Sequence, residues 1–200
     1  MSIKIYHVVF VLLFLTLSCK NREDAISSYS KGVDFYSKKS LEKALAEFSN
    51  AVKADSSFVS ARLMKGKTEY YLGKHENATE TFQDLLDDFP GNATSLTWLG
   101  KIYMLDSSKR DDAKQKLSMA IQFDDNQIDA HYYLGKLFEQ EGNVKDALIQ
   151  YSHGIEIAKR SEKIQRDLNE IYRNAGLNTA TPEAKTSAPV PEVAKKSKRK

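Results

Sequence analysis

The chain has 200 residues, 41% hydrophobic and 28% charged, with a net charge of +3 and one cysteine. That length allows one domain or two small ones, and a lone cysteine leaves no pair of thiolates at zinc-ligand spacing. The positive charge is local: residues 178–200 carry +4 and Cys19 to Leu177 carry −2, so the basic balance does not describe the face of a folded body.

Residues 1–18 hold one charged side chain, Lys4, ahead of the apolar run Ile5 to Leu17. About thirteen residues are too few for a membrane span of roughly 20. A weakly basic start, a short apolar core and small or polar residues at its end predict a signal peptide over 1–18. Cys19 follows directly. The stretch Leu15 to Cys19, "LTLSC", resembles the lipobox of bacterial lipoproteins, in which a small residue precedes a cysteine that becomes lipidated and N-terminal. Ser18 fits the small place, and Leu17 is bulkier than the commonest small residue before it. The resemblance implies acyl chains (palmitate) on Cys19 and a tether over 19–24. Two or more chains anchor stably where one is marginal. Lys20 is not an acidic retention signal, which favours the outer membrane over the inner.

Gly32, Gly66, Gly100 and Gly135 are spaced by 34, 34 and 35 residues. Glycine inside a helix costs about 1 kcal/mol relative to alanine, so its recurrence asks for a packing reason. Ala44, Ala78, Ala113 and Ala147 keep step, as do Phe48, Phe82, Leu117 and Tyr151 four residues later on the same helix face. Ala51, Leu85, Ala120 and Gly154 form a fourth series. Small residues let two antiparallel helices approach closely, and the large residue is expected to fill the space between one pair and the next. On this reading Gly135 meets Ala147. First helices are predicted at 25–38, 59–72, 93–106 and 128–141, and second helices at 41–54, 75–88, 110–124 and 144–158. Asp55-Ser56, Phe89-Pro90-Gly91 and Asp124-Asp125-Asn126 stop the second helices. The extra residue of the third repeat belongs in its turn, "DSSKRDD".

These repeats resemble the tetratricopeptide (TPR) family, whose pattern is Trp-x2-Leu-Gly-x2-Tyr, then Ala-x3-Phe, a later Ala and Pro. The third repeat has Leu99-Gly100-x2-Tyr103. The fourth has Leu134-Gly135-x2-Phe138 and Ala147-x3-Tyr151. The second matches Ala78-x3-Phe82 and Pro90 but places Glu69 where the first-helix aromatic belongs, and the first has Lys31 in the Leu place and Ser56 in the Pro place. The resemblance implies an all-α TPR solenoid with repeats at 25–58, 59–92, 93–127 and 128–161. Ile164, Leu168, Ile171 and Tyr172 then form an apolar stripe, read as a capping helix over 162–177 because open-ended arrays need a terminal element with a polar outer face. Residues 178–200 hold three of the four prolines and no aromatic, a composition too poor in apolar surface to fold. Their "KKSKRK" end suits anionic surfaces through charge alone.

The sequence offers little chemistry. His75, His131 and His153 are not at i, i+4 spacing, there is no G-x-S-x-G and no P-loop, and the acidic pairs sit at helix ends. No enzyme, cofactor, metal or specific nucleic-acid site is expected. Binding remains. Stacked first helices line the concave face of such a solenoid. The side chains read as pointing away from the second helices include Tyr29, Tyr36, Lys67, Tyr70, Lys101, Tyr132 and Lys136, together with Thr97, and Tyr71 lies beside them. The expectation is a groove for a protein or extended peptide, with tyrosines as anchors. TPR co-chaperones share a Lys/Asn/Arg clamp for an acidic C-terminus, but the corresponding places here are Tyr29, Val33, Met64, Thr94 and Trp98. The function expected is a lipid-anchored cell-envelope adaptor that assists assembly of an envelope complex. The alternative is a periplasmic ligand-delivery accessory of a transporter, which a deep enclosed pocket would favour.

Overall fold

The structure, a computed structural model, describes residues 21–174. The expected signal peptide, Cys19, tether start and basic tail lie outside the described residues. The chain divides into two units, the first ending at Ile157 and the second starting at Ala158.

The first unit is built of helix pairs: α1 over 21–37, α2 Leu41–Ala54, α3 Val59–Tyr71, α4 His75–Asp88, α5 Ala93–Tyr103, α6 Arg110–Phe123, α7 Ile128–Gln140 and the start of α8 Val144–Asn174. The pairs fall where the glycine and alanine series put them, and no strand is present among the described residues. A single turn of 3-10 helix, Ser107–Lys109, takes up the extra residue of the third repeat.

The packing reason for the glycines is direct. A Cβ on Gly32 would stand 2.6 Å from the Phe48 ring, on Gly66 2.7 Å from Phe82, on Gly100 2.5 Å from Leu117 and on Gly135 2.6 Å from Tyr151. Each glycine is therefore the seat of the large residue sixteen or seventeen positions on, within its own helix pair. The large residue also reaches the next pair, as expected: Phe82 packs with Trp98, Leu99 and Ile102 of α5. At Gly100 the seam alanine is in contact as well, the Ala113 carbonyl standing 3.2 Å from the added Cβ. The alanines line the same seam, and Ala44, Ala78 and Ala113 have no exposed surface.

Between repeats the chain turns by one device used three times. The amide of Phe58 donates to the Asp55 carbonyl, Asn92 to Phe89 and Gln127 to Asp124. Asp55 and Asp124 also accept from backbone amides two residues on, at 3.0 and 3.1 Å, and Asn92 caps α5 by accepting from the Ser95 amide at 2.9 Å. Within the pairs, the turn residue is left-handed at Lys39 (φ 59°), Gly73 (φ 75°) and Gly142 (φ 75°).

One seam carries a polar network. Glu69, only 3% exposed, receives Lys65 at 2.8 Å and the Thr81 hydroxyl at 2.8 Å, while Lys65 donates to Thr81 at 2.6 Å. Glu69 stands where the pattern wants an aromatic, and this closed triangle is what satisfies its carboxylate there.

Consecutive first helices touch: α3 meets α5 and α5 meets α7, while α2 with α4 and α4 with α6 make no comparable contact. First helices thus converge on one side and second helices fan out on the other, which makes the α1–α3–α5–α7 side the concave one.

The expected break between the last second helix and a separate cap is absent, because α8 runs unbroken from Val144 to Asn174. Ala158-Lys159-Arg160-Ser161 contains neither Gly nor Pro to stop it. In the second unit the described part is this helix, with Ile164 and Ile171 more than half exposed.

Candidate functional site: an aromatic and lysine cluster on the first-helix face

The centre of the first-helix face is Lys101, on α5. Its ammonium lies 4.4 Å from the ring centre of Trp98, 4.6 Å from Tyr70, 5.1 Å from Tyr133 and 5.5 Å from Tyr71. Four rings from three helices thus surround one cation, each within cation–π range. Lys67 on α3 lies 5.6 Å from the Trp98 ring on the same side, and Lys136 on α7 lies 6.0 Å from Tyr132.

The rings hold one another. Tyr70 meets Tyr71 at 5.5 Å and Trp98 at 5.3 Å, both edge-on, the arrangement that aromatic quadrupoles favour. Trp98 in turn stacks on Phe82 at 6.0 Å, and through it the cluster is rooted in the α4–α5 core. Tyr36 joins from α1, 6.3 Å from Tyr71.

The charges are only partly hydrated. Burial pulls the Lys67 and Lys101 ammonium groups below the usual lysine range, against the opposing pull of Asp129, and Lys67 lowers Lys101 further. Burial pushes the Tyr36 hydroxyl up to about 12, helped by Tyr71, and raises Tyr133 in the same way, with Asp129 adding to it. Four other lysines pair with carboxylates: Lys38 with Asp34, Lys65 with Glu69, Lys74 with Glu42 and Lys114 with Glu141. Among the described residues, Lys67, Lys101 and Lys136 form no such pair.

The sequence reading is met unevenly. Tyr36, Lys67, Tyr70, Tyr71 and Lys101 come together. Tyr132 and Lys136 sit beside them on α7, where Tyr132 contacts Tyr133 at 5.1 Å. Tyr29 does not join; it packs on Phe58 at 5.0 Å and Phe48 at 5.8 Å, in the seam between the first two repeats. Thr97 is not on the open face either: it is buried and its hydroxyl donates to the Ala93 carbonyl. Two members were missed. Trp98 and Tyr133 occupy the same repeat position, 35 residues apart, one residue outside the stripe taken to point away from the second helices. The shared register was the signal that could have found them.

Two hollows of about 360 and 310 Å³ lie off this cluster, one along α8 (Leu148, Ile149, Ser152, His153, Glu156) and one between the α5–α6 turn and α7. Among the described residues, no group of three or more His, Cys, Asp or Glu is placed to hold a metal ion, and no helix is long and apolar enough to cross a membrane.

The sequence model of a tetratricopeptide repeat family matches residues 63–128. Solved structures share the fold. A TPR protein of Thermus thermophilus aligns over 76% of this chain and 83% of its own, at 18% identity and a TM-score of 0.61. MamA from Desulfovibrio magneticus, in a form starting at its residue 41, covers 68% and 77% at 18% identity and a TM-score of 0.58. The first TPR domain of Spaghetti (RPAP3), solved with an HSP90 peptide, covers 60% and 95% at 14% identity and a TM-score of 0.56. The fold is that of a TPR solenoid.

Proposed function

We propose that this TPR array is a binding scaffold that takes an extended protein segment on its first-helix face, the segment presenting acidic and apolar residues together. The observation that carries this reading is the state of Lys101: an ammonium wrapped by four rings, acted on by Asp129 but in salt-bridge contact with no carboxylate among the described residues. Such a cation is already ordered and partly dehydrated, so an arriving carboxylate gains its attraction without the cost of immobilising a free lysine. The surrounding tyrosines offer rigid apolar surface with polar tips. A protein of this fold has been solved with a bound peptide, which supports a peptide ligand here by analogy. The two hollows described above lie off this face and are lined by other residues, which favours an open platform over a pocket for a small ligand.

The scaffold reading includes its location. An apolar run ending in Ser18-Cys19 supports a lipid-anchored protein of a bacterial envelope, holding a partner for assembly of an envelope complex. Cys19→Ala should abolish incorporation of labelled palmitate, and normal labelling would defeat the anchor. For the face, crosslinked capture from membranes should recover a partner with the wild type and lose it with Lys67→Glu/Lys101→Glu. Tyr70→Ala should weaken the interaction by about 1 kcal/mol or more. Equal capture by all three would remove the face from consideration.

A further inference from the structure

The end of the array in the first unit is chemically unfinished. In the second and third repeats, the residue eight positions after the seam alanine packs on a cluster that includes the next first helix. Val52, Leu86 and Ile121 hold this place and are partly buried, Leu86 and Ile121 within the apolar clusters. Three positions before the seam's large residue, Lys114 reaches Glu141 at 2.7 Å and lies 4.9 Å from the Phe138 ring. One residue past that large residue, Gln83 donates to the Tyr103 hydroxyl at 3.2 Å. On α8 the same places are Ile155, Leu148 and Ser152. Ile155 is 55% exposed and Leu148 60%, with Val144 beside them at 63%. A face that elsewhere in this chain receives a helix receives none here.

We infer that this face of α8 pairs with the same face of a second copy, the two helices antiparallel about a two-fold axis near residues 150 and 151. Head-to-tail stacking is excluded by the other end of the array. A first helix meets its predecessor with apolar residues, Leu99 and Ile102 on α5, Leu134 and Leu137 on α7. At the matching places α1 carries Lys31 and Asp34, both exposed, and burying them against Leu148 and Ile155 would strand two charges. A two-fold pairing avoids this, because the same patch serves both partners. The patch is also self-complementary in charge. Lys145 and Glu156, both exposed, flank the apolar stripe on the same edge of α8, eleven residues apart. Antiparallel pairing about residues 150 and 151 brings each Lys145 opposite the other copy's Glu156, and Val144 opposite Ile155. The chain's own terminal segment is a poor occupant: residues 178–200 hold three prolines and six Lys/Arg, with Val190 and Val193 as their only large aliphatics.

Light scattering on the lipidated protein in mild detergent, with the detergent mass subtracted, should give twice the mass of one copy as read by mass spectrometry. Leu148→Lys/Ile155→Lys should give a monomer with an unchanged circular dichroism spectrum. Lys145→Glu alone and Glu156→Lys alone should each weaken the dimer by about tenfold, roughly one ion pair's coupling at a desolvated edge. Lys145→Glu/Glu156→Lys together should restore it, since the pairs re-form with their signs exchanged. A chain ending at residue 177 should remain dimeric. A wild-type monomer at 100 µM, or a dimer indifferent to Leu148→Lys/Ile155→Lys, overturns the pairing. So does a dimer that appears only after removal of 178–200, which would make the terminal segment the occupant.

Discussion

Gly135 is the seat of Tyr151: a Cβ on the glycine would stand 2.6 Å from the ring, a contact that no side chain can enter without moving the ring. The same pair of places is filled by Gly32 with Phe48, Gly66 with Phe82 and Gly100 with Leu117. Overpacking of this kind costs about 1–3 kcal/mol. Gly135→Leu should therefore lower the melting temperature well below that of Lys136→Leu, one residue along on the half-buried face. Equal melting temperatures, read by circular dichroism, would contradict the seam.

Lys39 holds a left-handed turn that Gly73 and Gly142 hold in the second and fourth repeats. A side chain in that conformation costs roughly 1–2 kcal/mol, partly offset by the greater freedom glycine has when unfolded. Lys39→Gly should raise the melting temperature by about 2 °C. A fall would mean that the turn is not strained.

The Lys65–Glu69–Thr81 triangle yields a test with two arms. Removing one partner of a buried pair costs about 3 kcal/mol or more, while replacing both with apolar residues is often neutral. Lys65→Met should thus destabilise strongly, because it takes the cation from a carboxyl group that is only 3% exposed. Lys65→Met with Glu69→Leu should recover most of that loss in urea titrations. Additive damage from the two changes would show that packing, not charge, is what the site needs.

Stability should fall in alkali for a reason that can be located. Tyr36 and Tyr151 are both raised to about 12, first by burial, then by Tyr71 in one case and by the hydroxyl's donation to Glu139 at 2.8 Å in the other. Between pH 10 and 12 the native protein keeps protons that the unfolded chain has lost, so their contribution is full below pH 10 and disappears as pH rises through 12. Lys67 and Lys101 are lowered and act in the opposite sense just below the usual lysine range, which separates the two effects. Tyr36→Phe/Tyr151→Phe should flatten the decline of the urea midpoint above pH 10.5. An unchanged slope would rule the two hydroxyls out.

The repeat was legible because glycine, alanine and a large residue at fixed spacing point to two helices in close contact, repeated along the chain. Helix starts followed almost to the residue, since Asp55, Asn92 and Asp124 carry their turn chemistry locally. Partner direction was not local. That Tyr29 turns into the seam while Trp98 and Tyr133 close around Lys101 depends on how neighbouring pairs are rotated against each other, whereas Tyr151 on Gly135 and the Lys65–Glu69–Thr81 triangle are settled inside one pair. The end of the array was misjudged for a similar reason. An apolar stripe after residue 161 reads the same whether a helix restarts there or never stopped, and α8 never stopped. The sequence by itself determined the unit and its number of copies, because those rest on contacts within one helix pair. Which lysine is caged, and which face is left without a helix, was decided by the stacking of pairs, where residues far apart in the chain meet.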